Sequence, residues 1–255
     1  MEIIKEFENE TSLDFFISGK LKCYQPKVGF RAGFDSVFLA ACVPAVSGQK
    51  VLDLGCGVGV SLFSLMSRVK GLVATGIEIQ QFYHFLSIEN SKLNSLPARL
   101  IHGDMIEKLL SLKEESFDQI LLNPPFYSNE TNTPCSNLGK DISHRQIGDL
   151  SEWFLLALKR CRPYGFLTII DRPDRLPLIL ETVNGKGGNI SVLPVVSHGG
   201  QIASRLIIRI QKSAKGDLKF HWPFIKHEKN INKNGNNNYS EVANRVLRDG
   251  APVLF

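Results

Sequence analysis

Four consecutive residues, Asn123-Pro124-Pro125-Phe126, carry the densest chemistry in the chain. A carboxamide oxygen accepts hydrogen bonds, and an adjacent proline carbonyl is a second acceptor. Two such acceptors suit a planar amine with two N–H bonds, such as the exocyclic nitrogen of a nucleic-acid base. That nitrogen is a poor nucleophile, because its lone pair is delocalised into the ring. Gripping one hydrogen on Asn123 and the other on the Pro124 carbonyl would aim the lone pair at an electrophile. The prolines stiffen the turn, since each fixes φ at about −65° and lacks an N–H. Phe126 offers a stacking face worth on the order of 1–3 kcal/mol. Orientation would supply most of the rate gain, for which roughly 7–11 kcal/mol is available in principle. No strong general base or metal is required. The plain alternative is a proline-rich turn after a strand.

A second constellation lies upstream. Val51-Leu52-Asp53-Leu54-Gly55-Cys56-Gly57-Val58-Gly59 sets glycines at alternate positions between an expected strand and an expected helix. Glycine permits a tight turn and close approach of a ligand to the backbone. The helix start behind it presents free N–H groups. Asp53 can accept a hydrogen bond from a ligand's ammonium group. Glu78 ends the next strand, 19 residues beyond Gly59, where an acid reaches ribose hydroxyls in nucleoside-binding folds. Asp104, in His102-Gly103-Asp104-Met105, follows the third strand and is also a favoured helix N-cap. A dinucleotide fingerprint, G-x-G-x-x-G, fails here: read from Gly55 and Gly57, its third glycine falls on Val60.

These residues need a frame, and the pattern supplies one. Thr11–Gln25 alternates apolar and polar residues about Gly19-Lys20 and predicts a β-hairpin. A helix is expected over Phe34–Val46. Strands follow near Val51–Leu54, Leu72–Glu78, Ala98–His102, Phe117–Leu122 and Gly165–Asp171. Helices alternate with them near Val60–Val69, Gln80–Leu93, Ile106–Leu112, Ser151–Arg160 and Arg175–Asn184. That alternation predicts a doubly wound, mostly parallel α/β sheet. Ile190–Val196 and Ile202–Gln211 add an antiparallel pair, for seven core strands. A short C-terminal helix is expected over Ser240–Arg248. Residues 1–48 read as a hairpin and lid segment, and 49–255 as the ligand-binding domain, in one globular unit. Two stretches break the rhythm: Tyr127–Asp149, too long for a routine connection, and the Asn-rich Asn230–Asn238.

Bulk properties narrow the class. The chain has 255 residues, 43% of them hydrophobic, enough for one α/β core. No apolar run reaches the roughly 18 residues of a membrane span, and the acidic start MEIIKEFENE is unlike a signal peptide. Five cysteines without a CxxC pair argue against a disulfide framework or zinc site, so a cytoplasmic protein is expected. Residues 1–150 hold 14 Lys/Arg against 17 Asp/Glu, whereas residues 151–255 hold 16 against 8. The basic half suits docking on phosphate, or simply solubility. Arg160, Arg162, Arg172, Arg175, Arg205 and Arg209 are candidates for a nucleic-acid-facing rim.

Motif resemblance adds an identity to this reading. The acid-first DxGxGxG loop resembles the S-adenosylmethionine loop of class I methyltransferases. Asn123–Phe126 resembles the (Asn/Asp)-Pro-Pro-(Tyr/Phe) motif of enzymes that methylate planar amines or amides. The resemblance implies a Rossmann-like fold, with Asp53, Gly55, Cys56, Gly57, Gly59, Glu78 and Asn123 around the cofactor. Asp104 would accept the cofactor's adenine amino group, and Met105 would flank the ring. Asn123, Pro124 and Phe126 would be the catalytic set.

More of the chain is similar to the bacterial valine-tRNA adenine-N6-methyltransferases. The segment Gln25-Pro26-Lys27-Val28-Gly29-Phe30-Arg31-Ala32-Gly33-Phe34-Asp35-Ser36 resembles that family's cofactor lid, which implies Gly33 and Asp35 near the cofactor's methionine end. Ser143-His144-Arg145 with Asp149–Trp153, and Tyr239–Gly250, resemble its later loop and tail. The family implies a tRNA partner and action on the adenine beside the anticodon; a monomer is expected, with no metal and no membrane. Rival readings are another RNA base amine such as guanine N2, a protein glutamine amide, or an inactive nucleic-acid-binding module. A DNA adenine methyltransferase would need an added target-recognition domain. A glutamine enzyme usually carries a larger helical N-terminal domain than the 48 residues here.

Overall fold

The computed structural model describes residues 7, 9–112, 116–125, 150–228 and 239–255. Phe126, the stretch 127–149 with Ser143, His144 and Arg145, and the whole Asn-rich stretch Asn230–Asn238 lie outside the described residues. A hairpin comes first, β1 (Thr11–Phe16) and β2 (Leu21–Pro26), in register Thr11↔Pro26 to Phe16↔Leu21. Its turn needs positive φ, taken by Ile17, Ser18 and Gly19. Helix α1 (Phe34–Cys42) stops four residues short of the expected Val46. The cause is local: Pro44 biases the residue before it away from helix, and Val43 is extended.

The core then alternates as expected. Strand β3 is Lys50–Leu54, α2 is Val60–Arg68, β4 is Val73–Glu78, and α3 is Gln81–Leu93. Next come β5 (Arg99–His102), α4 (Met105–Ser111), β6 (Phe117–Leu122) and α5 (Leu150–Arg160). Strand β7 spans Cys161–Asp171, followed by α6 (Leu176–Val183), β8 (Gly187–Val196) and β9 (Arg205–Lys212). Strand β7 starts four residues before the expected Gly165, because a bulge between Phe117 and Gln119 of β6 re-registers the pair across Arg162-Pro163-Tyr164.

The sheet order is β5-β4-β3-β6-β7-β9-β8. Strand β9 runs antiparallel to both β7 and β8, and the other core pairs are parallel. Two further two-residue strands, β10 (Lys219–Phe220) and β11 (Phe224–Ile225), line the outer edge of β8. Strands that short carry no readable period, yet they cover an edge that would otherwise be open to pairing. The tail α7 (Glu241–Asn244) starts at the Ser240 cap and continues as one π turn, Arg245–Asp249, ended by Gly250 at φ 74°.

Strand residues alternate between two buried clusters. Val51 and Leu121 face the side covered by α1, α2 and α3; Leu52, Leu54, Ile120 and Leu122 face the side covered by α4, α5 and α6. The hairpin joins the first cluster through Ile17, Leu21 and Cys23. Between β3 and β6 the chain reverses its direction of winding, with β4 and β5 laid to one side and β6 and β7 to the other. Ligands of open α/β sheets bind outside the carboxyl ends of strands at such a point.

Candidate active site

The carboxyl ends of β3 and β6 are neighbours in the sheet, with Leu54 opposite Leu122. The glycine loop therefore leaves β3 beside the Asn123-Pro124-Pro125 turn that leaves β6. Gly55, Gly57 and Gly59 all have left-handed backbones, with φ of 68°, 56° and 91°. Two of the three show why glycine is needed. A Cβ on Gly59 would lie 2.2 Å from the Phe63 ring, so this glycine seats α2. A Cβ on Gly57 would meet nothing within 4 Å, so the loop presents bare backbone on its open side. Cys56 is buried, and its thiol packs where a Cβ on Gly76 would sit, locking the loop onto β4.

Two carboxylates sit beneath this loop. Glu78, 5% exposed, accepts from the Gly57 N–H and the Gln80 N–H, each at 2.8 Å. Burial raises its carboxyl above the ordinary range, and these backbone donors partly offset that. Asp53, 2% exposed, has an Oδ2 with no hydrogen-bond partner among the described residues. Burial, then repulsion from Glu78, pushes it up to about 7. A cationic group beside Asp53 would relieve both costs. The donor set fits S-adenosylmethionine: an orphaned buried carboxylate oxygen for an ammonium, an acid at the end of β4, and a bare glycine backbone.

Asp104 takes the structural role left open by the sequence. Its Oδ1 caps α4, accepting from Ile106 N–H at 2.9 Å and Glu107 N–H at 3.1 Å. Met105 is buried, and its methyl lies 3.8 Å from where a Cβ on Gly55 would stand.

Asn123 ends up half-buried, with an Oδ1 that is sequestered from solvent and has no partner among the described residues. Pro124 is buried. Asn123 Oδ1 is thus a buried acceptor at the carboxyl end of β6, beside the glycine loop.

Gly33 and Asp35 open α1. Asp35 Oδ2 accepts from Arg205 Nε at 2.9 Å, tying the start of α1 to the start of β9. The lid segment is held from behind by Gln25, 1% exposed, which exchanges hydrogen bonds with both Ala32 N–H and Ala32 O. Asn90 is a second brace that the sequence reading missed. Its side chain accepts from Tyr24 N–H and donates to Tyr24 O and Val58 O, joining α3, the hairpin and the glycine loop. Asn90 is wholly buried, and no signal in the sequence marks it.

The six arginines do not form one rim. Arg160 and Arg162 lie at the amino end of β7, opposite the Asn123 end, where Arg162 pairs with Asp118 at 2.7 Å. Arg209 packs under Phe255, 3.9 Å from the ring centre, and donates to Cys42 O. Arg172, Arg175 and Arg205 reach the ligand-binding end, paired with Asp174, Asp171 and Asp35 respectively. Among the described residues no three His, Cys, Asp or Glu side chains could hold a metal, and no helix is long and apolar enough to cross a membrane.

Comparisons with known proteins agree with this geometry. Residues 31–141 match the methyltransferase small domain. The tRNA1(Val) (adenine(37)-N6)-methyltransferases of Yersinia pestis and Yersinia pseudotuberculosis are 27% identical over 166 residues, which is 64% of this chain and 65% of the relatives' own length. Among solved structures, a predicted O-methyltransferase from Agrobacterium tumefaciens superposes with a TM-score of 0.69 at 18% identity, over 86% of this chain and 98% of its own. A T. thermophilus 16S rRNA N2 methyltransferase, solved with AdoMet and guanosine, superposes with a TM-score of 0.56 at 23% identity, over 79% of this chain and 50% of its own. The switch-point cleft, the acid-first glycine loop and the matched segment agree: residues 31–141 are similar to the methyltransferase small domain, and the chain shares the Rossmann-like fold of class I methyltransferases.

Proposed function

We propose that this enzyme methylates the N6 amine of adenine in tRNA, at the nucleotide beside the anticodon of a valine tRNA. The observation that carries the reading is the buried, unpartnered Oδ1 of Asn123 at the carboxyl end of β6, one strand from the cofactor loop. The relatives named for adenine 37 of tRNA1(Val) support the choice of base and RNA.

Asn123 accepts one amine N–H and the Pro124 carbonyl the other, which fixes the plane of the base and turns the nitrogen lone pair toward the glycine loop. Asp53 and Glu78 would hold the cofactor's ammonium and ribose ends. S-adenosylmethionine held there would supply an electrophilic methyl for that nitrogen, with the C–S bonding electrons left on sulfur and the amine's surplus proton lost to water. Phe126 lies outside the described residues; by its residue type it would offer the base a stacking face. The base must leave its stack to reach Asn123, which suits an unpaired anticodon-loop nucleotide.

The test is methyl transfer from labelled cofactor to purified tRNA, ribosomal RNA and translation factors offered separately. Label is expected in tRNA, recovered as N6-methyladenosine. Label confined to N2-methylguanosine or to a glutamine side chain would replace this reading with a rival.

A further inference from the structure

The two prolines fix φ within the turn, but neither Pro124 nor Pro125 has an N–H. Hydrogen bonds from the rest of the fold can therefore anchor these two residues' backbone only through their carbonyls. One is held by a side chain from elsewhere in the fold. Arg175, at the start of α6, donates from Nη1 to the Pro125 carbonyl at 3.0 Å, across 50 residues of sequence. The same nitrogen donates to Asp171 Oδ1 at 3.2 Å. Asp171 ends β7, the strand beside β6, and its Oδ1 also accepts the Arg172 N–H at 2.7 Å. The ion pair is shielded, with side chains 12% and 0% exposed. A buried ion pair is weak as a source of stability, because desolvation offsets its attraction. Its geometric effect is the stronger reason to look for a role.

We propose that Arg175 is a positioning residue for methyl transfer: held by Asp171, its guanidinium fixes the Pro125 carbonyl and thereby the aim of the Pro124 carbonyl and the Asn123 carboxamide. The inference rests on the amine-methylating reading of this site. Arg175 was a candidate for the nucleic-acid-facing rim. Its burial and its two inward hydrogen bonds instead point its charge away from an RNA phosphate.

The test combines three variants with readouts that separate positioning from folding and from RNA contact. In R175A, kcat on tRNA is expected to fall about 10- to 100-fold, the scale on which small misplacements cost rate. The cofactor Kd, by calorimetry, and the KM for tRNA are expected to stay within about threefold. R175K should recover part of the loss, because an ammonium can still reach the Pro125 carbonyl. D171N should lose less than R175A, because an acceptor remains on the same side chain. Hydrogen exchange of the Asn123 amide, the one exchangeable backbone N–H of residues 123–125, measured without RNA, should accelerate in R175A. An unchanged kcat would overturn the proposal. So would a loss expressed only in KM for tRNA, which marks a phosphate contact, or an equal loss in cofactor binding and melting temperature, which marks a structural role. If the wild-type enzyme methylates no RNA, the substrate reading fails by itself. The exchange experiment still decides the anchoring, and unchanged exchange in R175A would overturn it.

Discussion

The two turns that meet at the switch point each bury an acceptor oxygen with no partner among the described residues, but they bury different kinds of acceptor. The turn after β3 hides Asp53 Oδ2, an ionisable oxygen that Glu78 repels. The turn after β6 hides Asn123 Oδ1, which has no charge to lose. The first is suited to a cation, and its behaviour should depend on pH. The second is suited to a neutral amine, and its hydrogen bonding should not. On the proposed function, one cleft would separate cofactor recognition from substrate orientation by the chemistry of these two oxygens.

The largest expected effect falls on the neutral oxygen. Asn123→Ala should lower kcat on tRNA by about 10²–10³-fold, the range measured when one pre-aimed hydrogen-bonding group is removed. Steady-state kinetics with calorimetry should find the cofactor Kd within about twofold of wild type. Equal losses in both would erase the distinction between the two turns.

Gly59→Ala should come next, acting on the other turn through shape. The added Cβ meets the Phe63 ring, and the backbone sits at φ 91°. Such strain costs on the order of 1–3 kcal/mol, enough to lower the melting temperature by several degrees in a chain this size. An unchanged melting curve would mean that the loop is free to rearrange.

Asp53 sharpens the contrast through pH. A carboxyl held at about 7 in the folded chain binds more protons folded than unfolded. Stability without cofactor should therefore be greatest at low pH and fall as pH rises from about 4 to about 7. Cofactor affinity should move the other way, strengthening up to about 25-fold between pH 5.5 and 7.5 as Asp53 ionises. Asp53→Asn should flatten both trends and raise the melting temperature of the free protein near pH 8. Calorimetry and thermal melts over this range check the sign. Affinity independent of pH would move the cation elsewhere.

The smallest effect separates the two ends of the sheet. Arg162→Ala breaks an exposed pair with Asp118 at the amino end of β7. It should change stability and kcat little, within about 1 kcal/mol and twofold. A large loss of RNA affinity would restore Arg162 to a docking face.

Much of this was legible in the sequence because the core strands and the two turns are governed by local rules. Glycines at alternate positions suit a tight, open turn, and Val60 in place of a third glycine set the dinucleotide form aside. Strand β6 matched its expected bounds, Phe117–Leu122, because a buried apolar run ending in Pro-Pro has a sharp stop. The supports were not legible. Asn90, Gln25 and Asp171 act across gaps of 66, 7 and 4 residues, and nothing periodic marks a buried polar side chain that will find a backbone partner. The arginines failed as one group for the same reason: composition counts charges but does not place them at an end of a strand. Asp104 shows a local rule prevailing, since an N-cap needs only the next turn of helix.

The central claim, that the carboxamide of Asn123 presents adenine N6 for methylation, is tested most directly by mass spectrometry of tRNA nucleosides. Cells lacking the protein would be compared with the same cells carrying the wild-type chain or Asn123→Ala. The account predicts that N6-methyladenosine disappears from the tRNA, returns with the wild-type chain and stays absent with the variant. An N6-methyladenosine level indifferent to the deletion, or fully restored by Asn123→Ala, would contradict it.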